Sequence, residues 1–221
     1  SLDNFYINRI GMRMLIGQHL ELLKTYLNKD YADDRYVGLI CKETSPRLVA
    51  MDAIEDAREI CMRAHLDVPD VIVSGPGLDT VFPFVPSHLY YAMFELLKNS
   101  MRAVCEKHGS SGELPPIEIT IADSETNEDI CIRISDRGGG IARSDMPKIW
   151  SYLYTTANYN YAMDEELQEA PLAGLGYGLP LSRVYSQYWG GDIQVISLEG
   201  LGTDAYLSFN KTGDVEERQL E

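Results

Sequence analysis

The sequence predicts an α+β protein. A partial all-helical bundle occupies residues 1–67, and a mixed sheet covered by helices occupies residues 68–221. Two observations predict it. Before Val68 the apolar residues recur mainly at helical spacing. After it, short period-two runs alternate with helical patterns, as in strands and helices layered on one core.

Leu2 to Leu27 reads as a helix, with Ile7, Ile10, Met14, Leu15, Leu22 and Leu23 on its apolar stripe. The polar run from Asn28 to Arg35 ends it, and Val37 to Cys41 reads as a short extended piece. Ser45-Pro46 opens a second helix to about His65, with Ser at the N-cap and Pro at the first position. Its stripe is Leu48, Met51, Ile54, Ala57, Ile60 and Cys61. Two helices on one loop cannot bury both stripes alone, so both are expected to pack on other elements.

Val71–Val73 and Val81–Val85 are short extended runs, followed by a helix from about Ser87 to Lys107. Ile117–Ile121 and Ile130–Ile134 alternate at period two across a polar loop. Ile141 to Ala173 carries few regular signals. A helix from about Leu179 to Trp189 ends at Gly190-Gly191. Strands Ile193–Ser197 and Asp204–Phe209 then flank the turn Glu199 to Gly202.

The 221 residues carry 19 Lys+Arg against 34 Asp+Glu, a formal net charge of −15. Such a surface repels a phosphate backbone, which argues against a nucleic-acid partner. An anionic small ligand would need backbone N–H groups, a metal ion or a few placed cations. No apolar run approaches the roughly 18–20 residues that cross a bilayer, so no membrane is expected. No signal or transit peptide pattern opens the chain. The scattered Cys41, Cys61, Cys105 and Cys131, with no C-x-x-C and no His at metal-ligand spacing, read as buried free thiols in a reducing compartment. His65 and His108 end helices and read as partners of the C-terminal dipole.

Four pieces carry chemistry. On the helix from Ser87 to Lys107, Leu89, Met93, Leu96, Leu97, Ser100 and Val104 share one arc. His88, Glu95, Asn99, Arg102 and Glu106 share the opposite one. A carboxylate and an amide one turn apart, flanked by Lys98 and Arg102, suit a Mg²⁺-bound phosphate: Asn offers an oxygen to a hard cation, and Glu can take a proton. Next, Asp136-Arg-Gly138-Gly-Gly140 places a carboxylate at a strand end before a glycine turn, where a flat ligand can approach the backbone and an exocyclic amine can donate to the Asp. Third, Gly174-x-Gly176-x-Gly178 leads into a helix, so free N–H groups at a helix N-terminus can cradle phosphate. The fourth is Gly202-Thr203 between two strands. Neither G-x-x-x-x-G-K-[ST] nor the usual protein-kinase signatures occur.

In this order, Glu95-x-x-x-Asn99, Asp136-x-Gly138-x-Gly140, Gly174-x-Gly176-x-Gly178 and Gly202-Thr203 resemble the nucleotide boxes of the Bergerat-type (GHKL) ATPase fold shared by gyrase, Hsp90 and histidine kinases. Phe94 to Ala103, Tyr154-Thr-Thr-Ala157, Gly176 to Arg183 and Gly202 to Leu207 narrow the resemblance to the mitochondrial pyruvate dehydrogenase kinases. The branched-chain 2-oxoacid dehydrogenase kinase is the close sibling. Phe5 to His19 resembles a helix of that family's N-terminal bundle.

The resemblance implies a protein serine kinase of the mitochondrial matrix. It would phosphorylate the E1α subunit of a 2-oxoacid dehydrogenase complex and switch it off. Glu95 would be the base and Asn99 the Mg²⁺ ligand, with Arg102 beside them. Asp136 would read the adenine amine, with Gly138, Gly140 and Thr203 around it and Thr155 and Thr156 lining the nucleotide. Gly174, Leu175, Gly176, Tyr177, Gly178 and Leu179 would wrap the phosphates of ATP or ADP. Residues 141–173 would form the ATP lid, and K⁺ would sit on the carbonyls of Ile149, Ser151 and Tyr154. Partners would be E1α, the E2 lipoyl domain and a second copy in a homodimer. Tyr91 stands where many members have a His that tunes the Glu. The family's chains are longer, and the animal-type C-terminal tail has no counterpart. One alternative is an ATP-binding fragment without transfer activity. Another is a sensor-type histidine kinase using His19, although Gln18-His19-Leu20 lacks the usual His-Glu-x-x-x-Pro pattern.

Overall fold

Every second side chain of Ile117–Ala122 (β5) and Asp129–Asp136 (β6) is buried, so the period-two runs each bury one face of a sheet. The structure, a computed structural model, describes residues 1–28, 33–65, 67–109, 112–123, 128–156 and 176–211. In chain order before β5 come α1 (Leu2–Leu27), β1 (Tyr36–Val37), β2 (Ile40–Thr44), α2 (Pro46–Ala64), β3 (Val71–Ser74), β4 (Phe82–Phe84) and α3 (Pro86–His108). After β6 come α4 (Gly178–Tyr188), β7 (Asp192–Leu198) and β8 (Gly202–Asn210).

The main sheet has the order β3-β5-β6-β8-β7, with β3 parallel to β5 and the other pairs antiparallel. Helices α3 and α4 cover one face. Leu89, Met93, Leu97, Met101 and Val104 of α3 meet Ile119, Ile132, Ile134 and Leu207 in the core. The expected α+β architecture is therefore present.

Two sequence expectations need correction. Residues 37–41 are not one extended piece. Gly38, at φ 62°, turns β1 into β2, and β2 pairs with β4 in a separate three-stranded sheet. The apolar stripe of α2 is also rotated. Leu48 and Met51 are 65% and 52% exposed, and the buried set is Val49, Ala50, Ala53, Ile54, Ala57 and Cys61. Small residues let α2 approach α3 closely, and that close packing outweighs the larger side chains. The N-cap agrees with expectation, since the Ser45 side chain accepts from the Leu48 N–H at 3.4 Å.

Helix α1 buries only Ile10 among the described residues. It nonetheless docks on the rest of the chain. Tyr6 stacks on Tyr152 at 5.3 Å between centroids, and the Tyr152 hydroxyl donates to Asp3 at 2.6 Å. Gly11 lies against Tyr188 of α4.

All four cysteines are free thiols, with Cys41, Cys61 and Cys105 buried. Burial, then the neighbouring Cys105, pushes the Cys61 thiol up to about 12. Burial likewise raises Cys105.

His88 is a packing residue rather than a solvated one. Trp189 Nε1 donates to its Nδ1 at 3.0 Å, which requires that nitrogen to be unprotonated. Burial, with a smaller effect of Arg13, pulls its pKa from 6.5 down to about 4. The unfolded chain therefore binds this proton more readily, and stability is lost as pH falls from 6.5 towards 4. By pH 5 the loss is about 2 kcal/mol. Melting scans at pH 7 and pH 5 check this. The drop in Tm shrinks in His88→Gln, whose amide oxygen still accepts from Trp189.

Candidate functional site

Helix α3, the end of β6, residues 141–156 and the start of α4 enclose a cavity of about 570 Å³. Of the sequence-predicted residues, Glu95, Asn99 and Arg102 line it from α3, and Asp136, Gly138 and Gly140 from the end of β6. Ile149, Tyr154, Thr155 and Thr156 close one side, while Gly176, Gly178, Leu179 and Thr203 close another. Tyr177 packs against Tyr6 and Tyr152, and Ser151 lies outside the lining. Gly174, Leu175 and residues 157–173 of the expected lid lie outside the described residues.

Asp136 is the last residue of β6 and is 8% exposed. Its Oδ1 accepts the Gly138 N–H at 2.8 Å, and its Oδ2 accepts the Ser100 hydroxyl at 3.0 Å. Burial dominates and raises its pKa, partly offset by these donors and the Thr203 N–H. The glycine turn is sterically required: a Cβ on Gly138 would run into Ala103 of α3. Gly140 has φ 71°, which favours glycine.

Glu95 is fixed from two sides. Lys98 Nζ pairs with Oε1 at 2.7 Å, and both side chains are largely buried. Oε2 lies so close to Gly178 that a Cβ there would collide with it. The carboxylate therefore sits at the N-terminus of α4, where backbone N–H groups favour negative charge. Among the described contacts Tyr91 makes no hydrogen bond to Glu95. It packs on Tyr185 at 5.1 Å, and burial, then Glu95, raises its pKa.

Cations and free donors also face the cavity. Arg102 Nη2 donates to Thr156 Oγ1 at 3.2 Å, while its Nε makes no hydrogen bond among the described residues and sits 3.6 Å from Glu106 Oε1 in an ion pair. Lys107 also lines the wall, donating to the Gly200 carbonyl at 2.8 Å. The N-cap residue of α4, Tyr177, makes no side-chain capping bond among the described residues, so the first-turn donors beside Glu95 can face an anion. Leu153, a non-glycine at φ 67°, donates its N–H to the Gly176 carbonyl at 3.1 Å, which ties the two flanks of residues 157–175 together.

Sequence reasoning missed two members of this site. Ser100 falls in the apolar arc by spacing, yet it is the donor to Asp136, and a lone hydroxyl in that arc is the available signal. Lys98 was read as flanking the site, although it is buried and bonded to Glu95. Its four-carbon stem hides the charge from any pattern of periodicity.

An uncharged amide oxygen, a buried carboxylate, a guanidinium and a helix N-terminus fit a Mg²⁺-bound nucleoside triphosphate. Comparison with known proteins agrees. Residues 84–213 match the family model described as histidine kinase-, DNA gyrase B- and HSP90-like ATPase. Residues 1–41 match the model described as mitochondrial branched-chain alpha-ketoacid dehydrogenase kinase. The chain is 48% identical over 221 residues to the mitochondrial pyruvate dehydrogenase (acetyl-transferring) kinase of Arabidopsis thaliana, covering 98% of this chain and 58% of that protein. It is 42% identical to the Schizosaccharomyces pombe enzyme of the same name, over 95% of this chain and 49% of that one. Isozyme 1 of Homo sapiens is 38% identical, over 97% of this chain and 50% of that protein. The chain spans about half the length of the curated relatives it matches.

Proposed function

The chain belongs to the histidine kinase-, DNA gyrase B- and HSP90-like ATPase family, and from that premise we propose that it is an ATP-dependent protein serine kinase. Its substrate is the E1α subunit of the pyruvate dehydrogenase complex in the mitochondrial matrix, which it inactivates. The names of the relatives support the pyruvate target and the compartment. The observation that carries the reading is Glu95, held by Lys98 and the start of α4 in the same cavity as Asp136.

In this reading α1 is a helix of a bundle. By contrast β2, paired with β4, and α2, whose Val49, Ala53 and Cys61 share one core with α3 and the main sheet, go with the kinase domain rather than with the expected bundle of residues 1–67. Asp136 accepts the adenine amine, because its carboxylate is already oriented by Ser100 and Gly138. Asn99 and the first turn of α4 hold the phosphate end, and Arg102 adds a cation there. Mg²⁺, when bound, would neutralise charge on the β- and γ-phosphates. Glu95 accepts the serine hydroxyl proton as the serine oxygen bonds to the γ-phosphorus and the bond from that phosphorus to the ADP oxygen breaks. Positioning and charge neutralisation supply most of the catalysis.

K⁺ on the carbonyls of Ile149, Ser151 and Tyr154 is a finer part of the proposal. The Ser151 carbonyl already accepts the Tyr154 N–H at 3.3 Å. A homodimer is supported by the open edge strand β7, which exposes Ile196 and Leu198. The E2 lipoyl domain is proposed as the docking partner on resemblance alone.

The test is transfer of label from γ-labelled ATP to E1α. Acid-stable label on serine supports the proposal. Acid-labile label on His19 would replace it with a histidine kinase. A smaller prediction concerns Gly178→Ala. The new Cβ displaces the Glu95 carboxylate while leaving the core intact. Transfer falls about 10- to 100-fold, as expected for a reacting group moved by ~1 Å. Measuring kcat beside a melting scan checks this, with Tm nearly unchanged.

A further inference from the structure

Away from the nucleotide cavity, α2 and α3 bring three ligand-type side chains to one point. Cys61 lies in the last turns of α2, and His65 caps that helix one turn later, on the same face. Cys105 comes from α3, 44 residues further along the chain than Cys61. The two sulfurs are 3.7 Å apart. The ring of His65 offers a nitrogen that lies, with both sulfurs, in a group spanning no more than 4.8 Å. Cys61 and His65 do stand at a ligand spacing, four residues apart on one helix, contrary to the expectation of none, while Cys105 comes from another helix and only the fold brings it to them.

We infer that Cys61, His65 and Cys105 form a structural zinc site. Sulfurs bound to one tetrahedral zinc at about 2.3 Å lie about 3.8 Å from each other. The observed separation already matches that edge, so the two sulfurs would hold the metal where they stand, and the His65 ring would close on it from within 4.8 Å. A disulfide would require the sulfurs to close to about 2.05 Å, and an oxidant besides.

Two thiolates and an imidazole are a zinc donor set, since soft sulfur with borderline nitrogen in a tetrahedron excludes Mg²⁺ and Ca²⁺. The charge balance also suits burial. Each thiol releases one proton to solvent as its Zn–S bond forms, so Zn²⁺ replaces two H⁺ and the net charge of the site does not change. Cys61 and Cys105 are 0% and 5% exposed, where an uncompensated charge would be costly. His65 is only half-buried and gives the metal an entry path from solvent. The fourth position falls to water or to the Asp67 carbonyl, which already accepts from the Cys105 thiol at 3.6 Å.

The site staples the end of α2 to α3, the helix that carries Glu95 and Asn99. It is independent of the kinase reading, and its test uses no nucleotide. The full chain is purified without chelator, its bound zinc is counted, and the stripped protein is titrated with Co²⁺. The expected result is one zinc per chain. Co²⁺ should give the visible bands of a tetrahedral site and the near-ultraviolet band of thiolate ligation. In Cys105→Ser the thiolate band weakens and affinity falls about 100-fold or more, as loss of a ligand requires. Should that buried variant fail to fold, His65→Gln at the half-exposed helix end serves instead, with weakened metal binding and a shifted cobalt spectrum. Adding chelator lowers the Tm of the wild type and leaves that of the folded variant unchanged. The proposal is overturned by a folded chain that retains no zinc and gives no thiolate-to-cobalt band. Recovery of Cys61 and Cys105 as a disulfide from freshly purified protein overturns it equally.

Discussion

Replacing Glu95 with Gln lowers phosphoryl transfer to a serine substrate by about 100- to 10,000-fold, the usual contribution of a positioned general base. ATP affinity stays within a few-fold of wild type. The reason is local. Gln keeps the shape of the side chain between Lys98 and Gly178, and its amide oxygen can still accept from the Lys98 ammonium. What it loses is the ability to take a proton. Removing the negative charge also weakens a largely buried ion pair, so Tm falls somewhat, and transfer must be measured below the melting range. Single-turnover label transfer beside equilibrium ATP binding separates the two effects. Equal turnover in wild type and variant would remove Glu95 as the base. A parallel loss of ATP binding would assign it to nucleotide binding alone.

Asp136→Asn loses ATP affinity without losing stability. Burial raises the Asp136 pKa, so the folded chain holds this proton more tightly than the unfolded one. Stability therefore falls as pH climbs from the ordinary carboxylate value through the raised one, and at neutral pH the ionised group costs free energy. A neutral amide removes that cost, and the Ser100 hydroxyl can reverse to accept from it. An adenine amine facing the amide NH₂, by contrast, finds a donor where it needs an acceptor. The expected loss is about tenfold to 100-fold in ATP affinity, or ~1–3 kcal/mol. Discrimination against GTP narrows as well, because guanine offers an acceptor at that position. Displacement of a fluorescent ATP analogue by each nucleotide, with a melting scan, reads all three effects. A variant that melts lower and keeps its ATP preference would give Asp136 a structural role only.

Both predictions rest on residues that linear patterns expose well. Glu95 and Asn99 stand one turn apart on a helix whose bounds, near Pro86 and His108, follow from its own apolar period. Asp136 ends a strand of strict alternation, and glycines mark the turn after it. Contacts between elements distant in sequence were not legible. The pairing of β2 with β4 joins residues about 40 positions apart, Cys41 to Phe84 and Thr44 to Phe82, and the hairpin of β1 with β2 turns at Gly38. The rotation of α2 follows from Ala50, Ala53 and Ala57 at 0% exposure, because close approach to α3 rewards small residues over large ones. The sequence places Lys98 as a flanking cation, and only its pairing with Glu95, set against the start of α4, explains its burial.

On the proposed function, ATP occupies the cavity between α3, the end of β6 and the start of α4. Calorimetric titration of ATP into the wild-type chain, with and without magnesium, tests it most directly. The expected result is one nucleotide per chain, bound tighter with magnesium and displaced by ADP. A chain that melts cooperatively yet gives no binding heat at several temperatures, and shows no shift in Tm with nucleotide, would contradict it.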